Sequence, residues 1–395
     1  MKLLVYSHFF APSIGGVETI VLALSRGLAE LHTANGALEF EVTIVTETAA
    51  GDFDDRSLPF RVVRQPNLFH LWRLVRVSDV IHVAGPAFLP LFLGRLAGKP
   101  VVIEHHGYQA ICPNGVLVYQ PDGSICPGHF QAGRYRECVR CQNRQTSGLR
   151  SLASLVLMFP RLWLTRGAAI NLAISGHVLQ RHALPRSSVI YYGIEDPLGK
   201  DFSPSTPLNT SGKTCFAYVG RLVPEKGIPI LLQASRELMN EGQKFEVRLI
   251  GDGPVRPKLE AIIEREHLEN CVHITGYLSG AALTETLRDV GVVVMPSVWE
   301  ETAGLAAIEQ MMRGRLVIAS DIGGLGEIVS DAGLKFTPGN ADALADRMRE
   351  VLQDPSLADS IGVKARERAL HLFWRGQMIE KHARVYRGVF RERKG

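Results

Sequence analysis

The chain has 395 residues, which is long enough for two or three domains that each bury their own core. Its apolar share of 46% is ordinary, and Gly and Pro are spread along it, so the sequence is globular and not of low complexity. The formal net charge of +4 does not indicate a nucleic-acid partner, because such proteins usually carry a concentrated basic face.

The first ten residues, MKLLVYSHFF, superficially resemble a signal peptide. They pass into a glycine loop and a helical pattern without a small-residue cleavage site, so we predict a first β-strand instead. The most apolar stretch, 152–174, is interrupted by Pro160, Arg161 and Arg166 and does not predict a membrane-spanning helix. We therefore expect a cytoplasmic protein.

Short apolar runs alternate with helical patterns along the first half of the chain, and the runs predict strands. They cover 3–7, 40–45, 79–84, 100–104, 170–174 and 188–191. The stretch 193–213 lacks periodicity and is rich in Pro, Ser, Thr, Asp and Gly, as is typical of a linker between domains.

A second alternating series follows the linker, with strands predicted over 215–219, 246–250, 272–275, 292–295 and 316–319. Alternation of this kind favours an α/β fold with doubly wound parallel sheets. We expect two Rossmann-like domains that face a central cleft, with ligands beyond the carboxyl ends of the strands.

The loop between the first strand and the first helix reads PSIGGVE. Gly15 and Gly16 allow close backbone approach and positive φ, which a phosphate-facing turn requires. An ordinary tight turn is the alternative.

His106 follows the strand predicted over 100–104, where an imidazole could bond a hydroxyl or a transition-state charge. His105 points to the opposite face, so only one of the two can line a cleft.

Four cysteines lie in the segment 107–148, which we predict to be irregular, and a loop of that length needs a staple or a function. They are Cys112, Cys126, Cys138 and Cys141. The last two have C-x-x-C spacing, and the four could form a structural Cys₄ zinc site. Two disulfides, disfavoured in a reducing cytosol, and four free thiols are the alternatives.

Five arginines punctuate this segment and its exit, and an apolar stretch with further arginines follows over 152–166. The arginines are Arg134, Arg136, Arg140, Arg144 and Arg150. A solvated loop and a packed helix would explain them. A surface that meets an anionic acceptor, or the inner face of the cytoplasmic membrane, is the sharper hypothesis.

Two cations follow the first strand of the second series, within YVGRLVPEKG. Arg221 offers a planar fork and Lys226 a mobile point charge, a pair suited to a diphosphate. Gly251, in LIGDGP, ends the next strand. The alternatives are a solvated charge cluster and a plain strand–turn–helix junction.

Two carboxylates flank a predicted helix start at Gly304 and Leu305. Glu301 lies in the preceding loop, and Glu309 projects from the second helical turn. Free backbone N–H groups at the helix start form an anion site, so a phosphate bound to a sugar suits the arrangement. Two solvated surface charges are the alternative.

These motifs, together with IEHHG (103–107) and GGLGE (323–327), occur in an order that resembles the retaining glycosyltransferases of family four, which have the GT-B fold. The resemblance covers nearly the whole chain. It implies that the last helix crosses back to the first domain. We therefore expect 1–195 with 372–395 as an acceptor-side domain and 196–371 as the nucleotide-sugar-binding domain.

The resemblance also implies a role for each motif residue. Arg221 and Lys226 would bind the diphosphate of a nucleotide sugar, so that no metal is needed, and Glu309 would bond the ribose. The expected catalytic residues are Glu301, which would address the donor sugar, and His106, near the sugar and acceptor. The loop at Gly15 and Gly16 would approach the diphosphate, and Gly251, Gly304 and Leu305 would contact the nucleotide sugar. The acceptor would be a sugar or a lipid-linked glycan.

Three positions depart from the family pattern: Thr302-Ala303 after Glu301, Tyr191-Tyr192 before Gly193, and Leu325-Gly326 before Glu327. They put the shape of the donor-sugar pocket in question. A non-catalytic nucleotide-sugar-binding scaffold and a GT-B epimerase are the alternative functions. A nicotinamide dehydrogenase is poorly supported, because no G-x-G-x-x-G follows the first strand.

Overall fold

The computed structural model describes residues 1–13, 15–142, 147–199 and 213–394, and it divides into two compact units. The first unit comprises Met1–Ile194 with Trp374–Gly395, and the second comprises Glu195–Phe373. The predicted domain borders at 195 and 372 differ from these by one or two residues. Most of the predicted linker, 200–212, lies outside the described residues.

The first unit contains a seven-stranded parallel sheet of order β3-β2-β1-β4-β5-β8-β9. Its strands are nearly continuous apolar runs, as is typical of strands covered on both faces. They are β1 (Lys2–Ser7), β2 (Glu41–Thr46), β3 (Arg61–Arg64), β4 (Val80–Ala84), β5 (Val101–His105), β8 (Ile170–Ala173) and β9 (Ser187–Val189).

Helices follow most of these strands. They are α1 (Gly16–Ala29), α2 (Leu68–Val77), α3 (Phe88–Leu96), α4 (Tyr135–Gln142), α5 (Gly148–Arg166) and α6 (Gly176–His182). The apolar inner sides of α2 and α3, with Leu164 near the end of α5, form one core with a single face of the sheet. Leu155 and Met158 of α5 pack instead against Phe130 and Cys138. In sequence of packing, α2 adjoins α3 and α3 adjoins α5.

The cysteine-bearing segment 107–148 was predicted to be irregular, and that prediction is wrong. It contains a small antiparallel ladder, β6 (Val118–Tyr119) with β7 (Ser124–Ile125), and the helix α4. Both elements are too short to give a clear periodic pattern.

The second unit contains a six-stranded parallel sheet of order β12-β11-β10-β13-β14-β15. Its strands are β10 (Thr214–Val219), β11 (Phe245–Ile250), β12 (Val272–Gly276), β13 (Val292–Met295), β14 (Leu316–Ser320) and β15 (Leu334–Phe336). In both sheets the strand order reverses once, between β1 and β4 and between β10 and β13, and ligands bind at such points in doubly wound folds.

Helices over 228–240, 256–265 and 341–353, with Ala358, form a hydrophobic core with the sheet of the second unit, which has further helices besides. The helices of this unit are α7 (Ile228–Asn240), α8 (Arg256–Arg265), α9 (Gly280–Thr286), α10 (Leu305–Met312), α11 (Gly323–Val329), α12 (Ala341–Gln353) and α13 (Ser356–Leu372). The last helix, α14 (Arg375–Lys394), belongs to the first unit and packs on α1. Among the described residues, none of the helices is both long and apolar enough to cross a bilayer.

Candidate functional site

In the second unit, the loop that follows β10 lies against the loop that follows β13. The Val298 N–H donates to the Glu225 carbonyl at 3.0 Å. Gly227 has φ +64°, and a Cβ there would stand 2.0 Å from the Pro296 carbonyl oxygen. Only glycine therefore permits this approach, which brings the predicted cationic loop to the predicted acidic loop at the point where the strand order reverses.

The predicted pair Lys226 and Glu301 are in contact at this junction. The Lys226 ammonium lies 2.9 Å from a Glu301 carboxylate oxygen, and both side chains are largely buried. The hydroxyl of Ser297 donates to the same carboxylate. Glu301 is therefore a held, partly desolvated charge and not the solvated surface residue that was its alternative.

Arg221 and Glu301 both act on the buried phenol of Tyr218. Burial raises the pKa of Tyr218, the Glu301 charge raises it further, and the Arg221 charge opposes this. The Tyr218 hydroxyl donates to the Arg221 carbonyl at 2.7 Å, which fixes the backbone beneath an exposed guanidinium. The fork of Arg221 is thus free to meet an anion from solvent on the side of the unit that carries Glu301.

The start of α10 supplies backbone donors beside this pair. Gly304 takes a left-handed conformation, φ +77°, and the amides of Leu305 and Ala306 have no carbonyl partner within the helix, as its geometry requires. Glu309 lies on the second turn as predicted, and burial raises the pKa of its carboxyl while Arg313 opposes the shift. A half-buried carboxyl that has no cation at ion-pair distance among the described residues is a candidate acceptor for ligand hydroxyls.

The GGLGE segment holds the Glu301 backbone in place. Gly324 N–H donates to the Glu301 carbonyl at 2.6 Å, and a Cβ at Gly323 would clash with the same main chain. Gly251, at the end of β11, approaches the next loop as closely, since a Cβ there would stand 1.8 Å from the Gly220 carbonyl oxygen. Both glycine motifs therefore pack loops against each other, which for Gly251 agrees with the strand–turn–helix junction that was the alternative to nucleotide contact.

In the first unit, the loop at Gly15 and Gly16 differs from its prediction. Gly15 is extended, with φ −173°, and forms the N-cap of α1, while Gly16 is not among the residues with positive φ. The expectation of positive φ is therefore wrong. A Cβ at position 15 would stand 2.4 Å from a carboxylate oxygen of Glu18, so a larger residue there would displace that side chain. Ile14 lies outside the described residues.

His106 lies directly after β5, at the carboxyl end of the sheet. Its Nδ1 is 2.8 Å from the Tyr192 hydroxyl, and its Nε2 is 3.5 Å from a carboxylate oxygen of Glu104. Tyr192 is one of the residues that depart from the family pattern, and its hydroxyl is the hydrogen-bond partner of His106. His105 faces the other way and bonds Asn171, as expected for neighbouring strand positions.

Sequence analysis did not find the buried cluster behind His106. The Glu104 carboxylate, 1% exposed, lies 3.4 Å from imidazole nitrogens of His82 and of His382 as well. Burial would raise the pKa of Glu104, but the three histidines hold it well below its usual value. Burial lowers the pKa of His82 and of His106. The IEHHG motif indicated His106, but no local signal links it to a histidine on α14.

A cavity of about 420 Å³ opens beside His106, at the point where β1, β4 and β5 end. Glu18 and Arg161 also line it. The Arg161 Nε is buried without a hydrogen-bond partner, burial lowers the pKa of its guanidinium, and within the described residues no carboxylate lies within ion-pair distance. Sequence analysis noted Arg161 only as an interruption of an apolar stretch.

The four predicted metal ligands line one small cavity of about 20 Å³. They are Cys112, Cys126, Cys138 and Cys141, and all four are buried free thiols. Burial and then the neighbouring cysteines raise the pKa of Cys138 to about 12. Across the described residues, no three His, Cys, Asp or Glu side chains are grouped so as to hold a metal as they stand. Zinc at this cluster therefore stays a prediction.

Comparison with known proteins bears mainly on the second unit. Residues 200–368 match the family described as glycosyl transferases group 1. Alpha-D-kanosaminyltransferase of Streptomyces kanamyceticus is 33% identical over 150 residues, which are 38% of this chain and 39% of that protein. 2-deoxystreptamine glucosyltransferase of the same organism is 34% identical over 170 residues, 40% and 44% respectively. The chain thus spans about two fifths of the length of these curated relatives.

Solved structures match almost the whole chain. Alr3699/HepE of Anabaena, in complex with UDP, superposes with a TM-score of 0.73 at 20% identity and covers 98% of this chain and 100% of its own. Sucrose-phosphate synthase of Thermosynechococcus elongatus superposes with a TM-score of 0.71 at 21% identity, covering 99% of each. The predicted α/β GT-B fold is confirmed by these matches.

Proposed function

We propose that the chain is a retaining, metal-independent glycosyltransferase that moves a sugar from a nucleotide diphosphate sugar to an acceptor hydroxyl. The observation that carries the proposal is the contact between Lys226 and Glu301, at 2.9 Å, beside the free amides of α10. A cation for the leaving group and a carboxylate for the sugar stand next to each other there. The family match of the same unit and the sugar-transferring relatives support the assignment.

The donor would bind through charges that the chain itself supplies. Arg221 and Lys226 neutralise the diphosphate, and the start of α10 adds backbone donors, so the leaving group is stabilised without a metal ion. Glu309 bonds the ribose. Gly251 and the loop of Gly15 and Gly16 let main chain approach the nucleotide.

The reaction breaks the bond between the anomeric carbon and the diphosphate oxygen, and the bonding pair leaves with the nucleoside diphosphate. The acceptor oxygen forms the new bond on the same face, and its proton passes to the departing phosphate oxygen. Glu301 is assigned to the donor sugar and His106 to the reacting region, where each would stabilise the oxocarbenium-like transition state. Lys226 and Ser297 both contact Oε1 of Glu301, so Oε2 is the oxygen that would address the donor sugar. Double displacement would need this carboxylate at the anomeric carbon and is not the mechanism that we propose.

The acceptor would bind in the cavity beside His106. Its lining combines an imidazole, the Glu18 carboxylate and the unpaired Arg161, which suits a polyhydroxylated ligand. The acceptor class that we propose is a sugar or lipid-linked glycan in glycan, glycolipid or polysaccharide assembly. The proposed location is the cytoplasm, where nucleotide sugars would be available as donor substrates.

The test begins with a thermal-shift screen of the purified chain against UDP-, GDP- and ADP-sugars. UDP-glucose comes first, because HepE was solved with UDP and with UDP-glucose. Binding to the folded state raises the apparent stability, by about 2.7 kcal/mol at a hundredfold excess over the dissociation constant. No shift with any nucleotide sugar would contradict the proposal.

Lys226→Ala is expected to reduce donor turnover at least about a thousandfold, because the leaving group loses a charge worth about 4 kcal/mol in a dry site. Lys258→Ala removes an exposed lysine of the same unit and should leave turnover unchanged. Turnover in Lys226→Ala at the wild-type rate would refute the assignment. Product that is an altered nucleotide sugar, formed without acceptor, would indicate an epimerase, and binding without any turnover a scaffold.

A further inference from the structure

Three adjoining helices of the first unit carry an exposed apolar surface, which we call the outer face: the solvent-exposed sides of α2, α3 and α5. Of the 21 large apolar side chains exposed within the described residues, 13 belong to these helices. They are Leu68, Phe69, Val77, Phe88, Leu89, Phe92, Leu96, Leu149, Leu152, Val156, Leu157, Phe159 and Trp163. Single exposed apolar residues need no explanation, but a concentration of this kind marks an interaction surface.

The charges on the outer face all have one sign. α2, α3 and α5 contain no Asp or Glu. They carry five exposed arginines, Arg73, Arg76, Arg95, Arg150 and Arg166, and among the described residues none has a carboxylate at ion-pair distance. The Arg95 guanidinium lies 5.7 Å from the Trp163 ring centroid, which joins α3 to α5. Apolar and cationic side chains are therefore interleaved on one surface.

A basic cavity of about 280 Å³ adjoins this surface at the ends of α3 and α5. Arg95, Lys99 and Arg393 line it, together with Leu91 and Leu164, and its lining contains no carboxylate. Burial lowers the pKa of Lys99, the charges of Arg393 and Arg76 lower it further, and the charge of Asp79 opposes the shift. Three cations around a partly apolar cavity suit an anion attached to a hydrocarbon body.

We propose that the outer face binds an anionic lipid membrane, with a lipid phosphate received between Arg95, Lys99 and Arg393. Helices that present Trp, Phe and Leu among arginines, without acidic residues, have the composition of surfaces that lie in the headgroup region. A second copy of the chain is a poorer occupant, because a two-fold contact would set these arginines against their own copies. The surface is independent of the donor site.

The test measures sedimentation of the full chain with vesicles. Phosphatidylcholine vesicles with about 30% phosphatidylglycerol are expected to bind at least about tenfold more tightly than pure phosphatidylcholine vesicles. Binding should weaken about tenfold or more in about 0.5 M salt, because headgroup attraction is screened. Equal binding to both vesicles, or none to either, would overturn the proposal.

Two double variants, each with a matched control double variant, locate the contact. Phe69→Ser with Trp163→Ser removes side chains that are 76% and 63% exposed, and Leu38→Ser with Tyr277→Ser removes others of 61% and 58% elsewhere. Arg95→Gln with Arg393→Gln removes two charges of the cavity, and Arg265→Gln with Arg288→Gln removes two exposed charges of the second unit.

The Phe69/Trp163 and the Arg95/Arg393 double variants should each weaken vesicle binding at least about tenfold at an unchanged melting temperature. The controls should not weaken it. Equal losses in variants and controls would mean unspecific attraction and overturn the proposal. A dimer that forms through Phe69 and Trp163, in place of vesicle binding, would overturn it in favour of a second copy.

Discussion

Glu309 illustrates how a binding residue can lower the stability of the ligand-free chain. Burial raises the pKa of its carboxyl, so folding disfavours the ionised form. The group is neutral in both states well below its unfolded pKa of 4.5, and its cost grows as the pH rises from that value to the raised folded value, above which it is complete. The Glu309 carboxylate, which is proposed to bond the ribose, therefore lowers the free energy of unfolding at neutral pH.

Glu309→Gln is accordingly expected to raise the melting temperature at pH 7 and to leave it unchanged below about pH 4. The same change should raise the KM for the donor at least about tenfold, because a charged hydrogen bond to the ribose is lost. Melting curves against pH and donor titration measure both effects. Glu269→Gln, at an exposed position, is the control. A lower melting temperature at pH 7 would contradict this account.

At the residue scale, the sequence predicted the site residues well where they lie within one continuous motif. Lys226 and Glu301 were both expected at the donor site, and they are in contact. It could not find Glu104 with His382, because 278 positions of chain separate them and only the packing of α14 brings them together. Nor could it show that Arg161 would be buried without a carboxylate partner.

The loops of the second unit show how an element positions a charge. Gly227 ends the cationic loop with its Cα against the Pro296 carbonyl, so Lys226 can reach Glu301 only while that approach is possible. Glycine is needed here for space and for its left-handed backbone together.

Gly227→Ala should therefore destabilise the fold by more than the roughly 1 kcal/mol of backbone strain and reduce donor turnover about a hundredfold, since a 1 Å displacement has that effect. Gly242→Ala shares a positive φ, +75°, but its Cβ would meet open space. Gly242→Ala therefore measures the effect of backbone strain without a clash of the new Cβ. Denaturant unfolding and turnover assays compare the two, and equal effects would show that the contact with Pro296 is unimportant.

The cysteine-bearing segment is the second element with a testable role. We expect about one zinc per chain by metal analysis, bound by the four thiols in tetrahedral geometry. Cys138→Ser with Cys141→Ser should lose the metal and lower the melting temperature, whereas Cys215→Ala with Cys271→Ala should retain it. A chain that carries no metal as isolated would contradict zinc. Six titratable thiols after unfolding would then indicate free thiols, and two would indicate disulfides.

At the element scale, most strands of the two parallel sheets were found from sequence, including the short strands β8, β9 and β13, but two were not. β3 and β15, of four and three residues, are edge strands that were missed. Edge strands are short and bear charges, so their patterns are weak. The short elements of 107–148 escaped for the same reason.

The two units as wholes follow the expected GT-B architecture, and the first contains a set of histidines that makes it sensitive to acid. Burial lowers the pKa of His105 to about 4 and that of His182 to about 3. In the unfolded chain both take a proton near pH 6.5. Between these values only the unfolded state is protonated, so stability is full above about pH 6.5 and falls as the pH is lowered.

Melting temperatures should therefore fall from pH 6.5 toward pH 4, by a loss of about 1.4 kcal/mol per pH unit for each such histidine. His105→Gln with His182→Gln should flatten this slope whatever it does to the stability at pH 7. His273→Gln, at an exposed position, should leave the slope as it is. An unaltered slope in the double variant would mean that other groups govern the acid transition.

The whole-molecule organisation was predictable because two alternating series and an aperiodic stretch mark two sheets even without contacts. The assignment of the last helix to the first unit rested on the resemblance, since nothing in its amphipathic pattern says which sheet it covers. Its partners, Glu104 and Glu39, are chosen by tertiary packing.

The return of α14 to the first unit sets an order of assembly during synthesis. As the chain leaves the ribosome, every residue of the second unit has been made before Trp374 emerges, whereas the first unit still lacks the helix that brings His382 to Glu104. The portion translated first is therefore completed last. A chain that ends at residue 373, held on the ribosome by a linker long enough to clear the exit tunnel, would display a protease-resistant second unit attached to a first unit that is still open to cleavage.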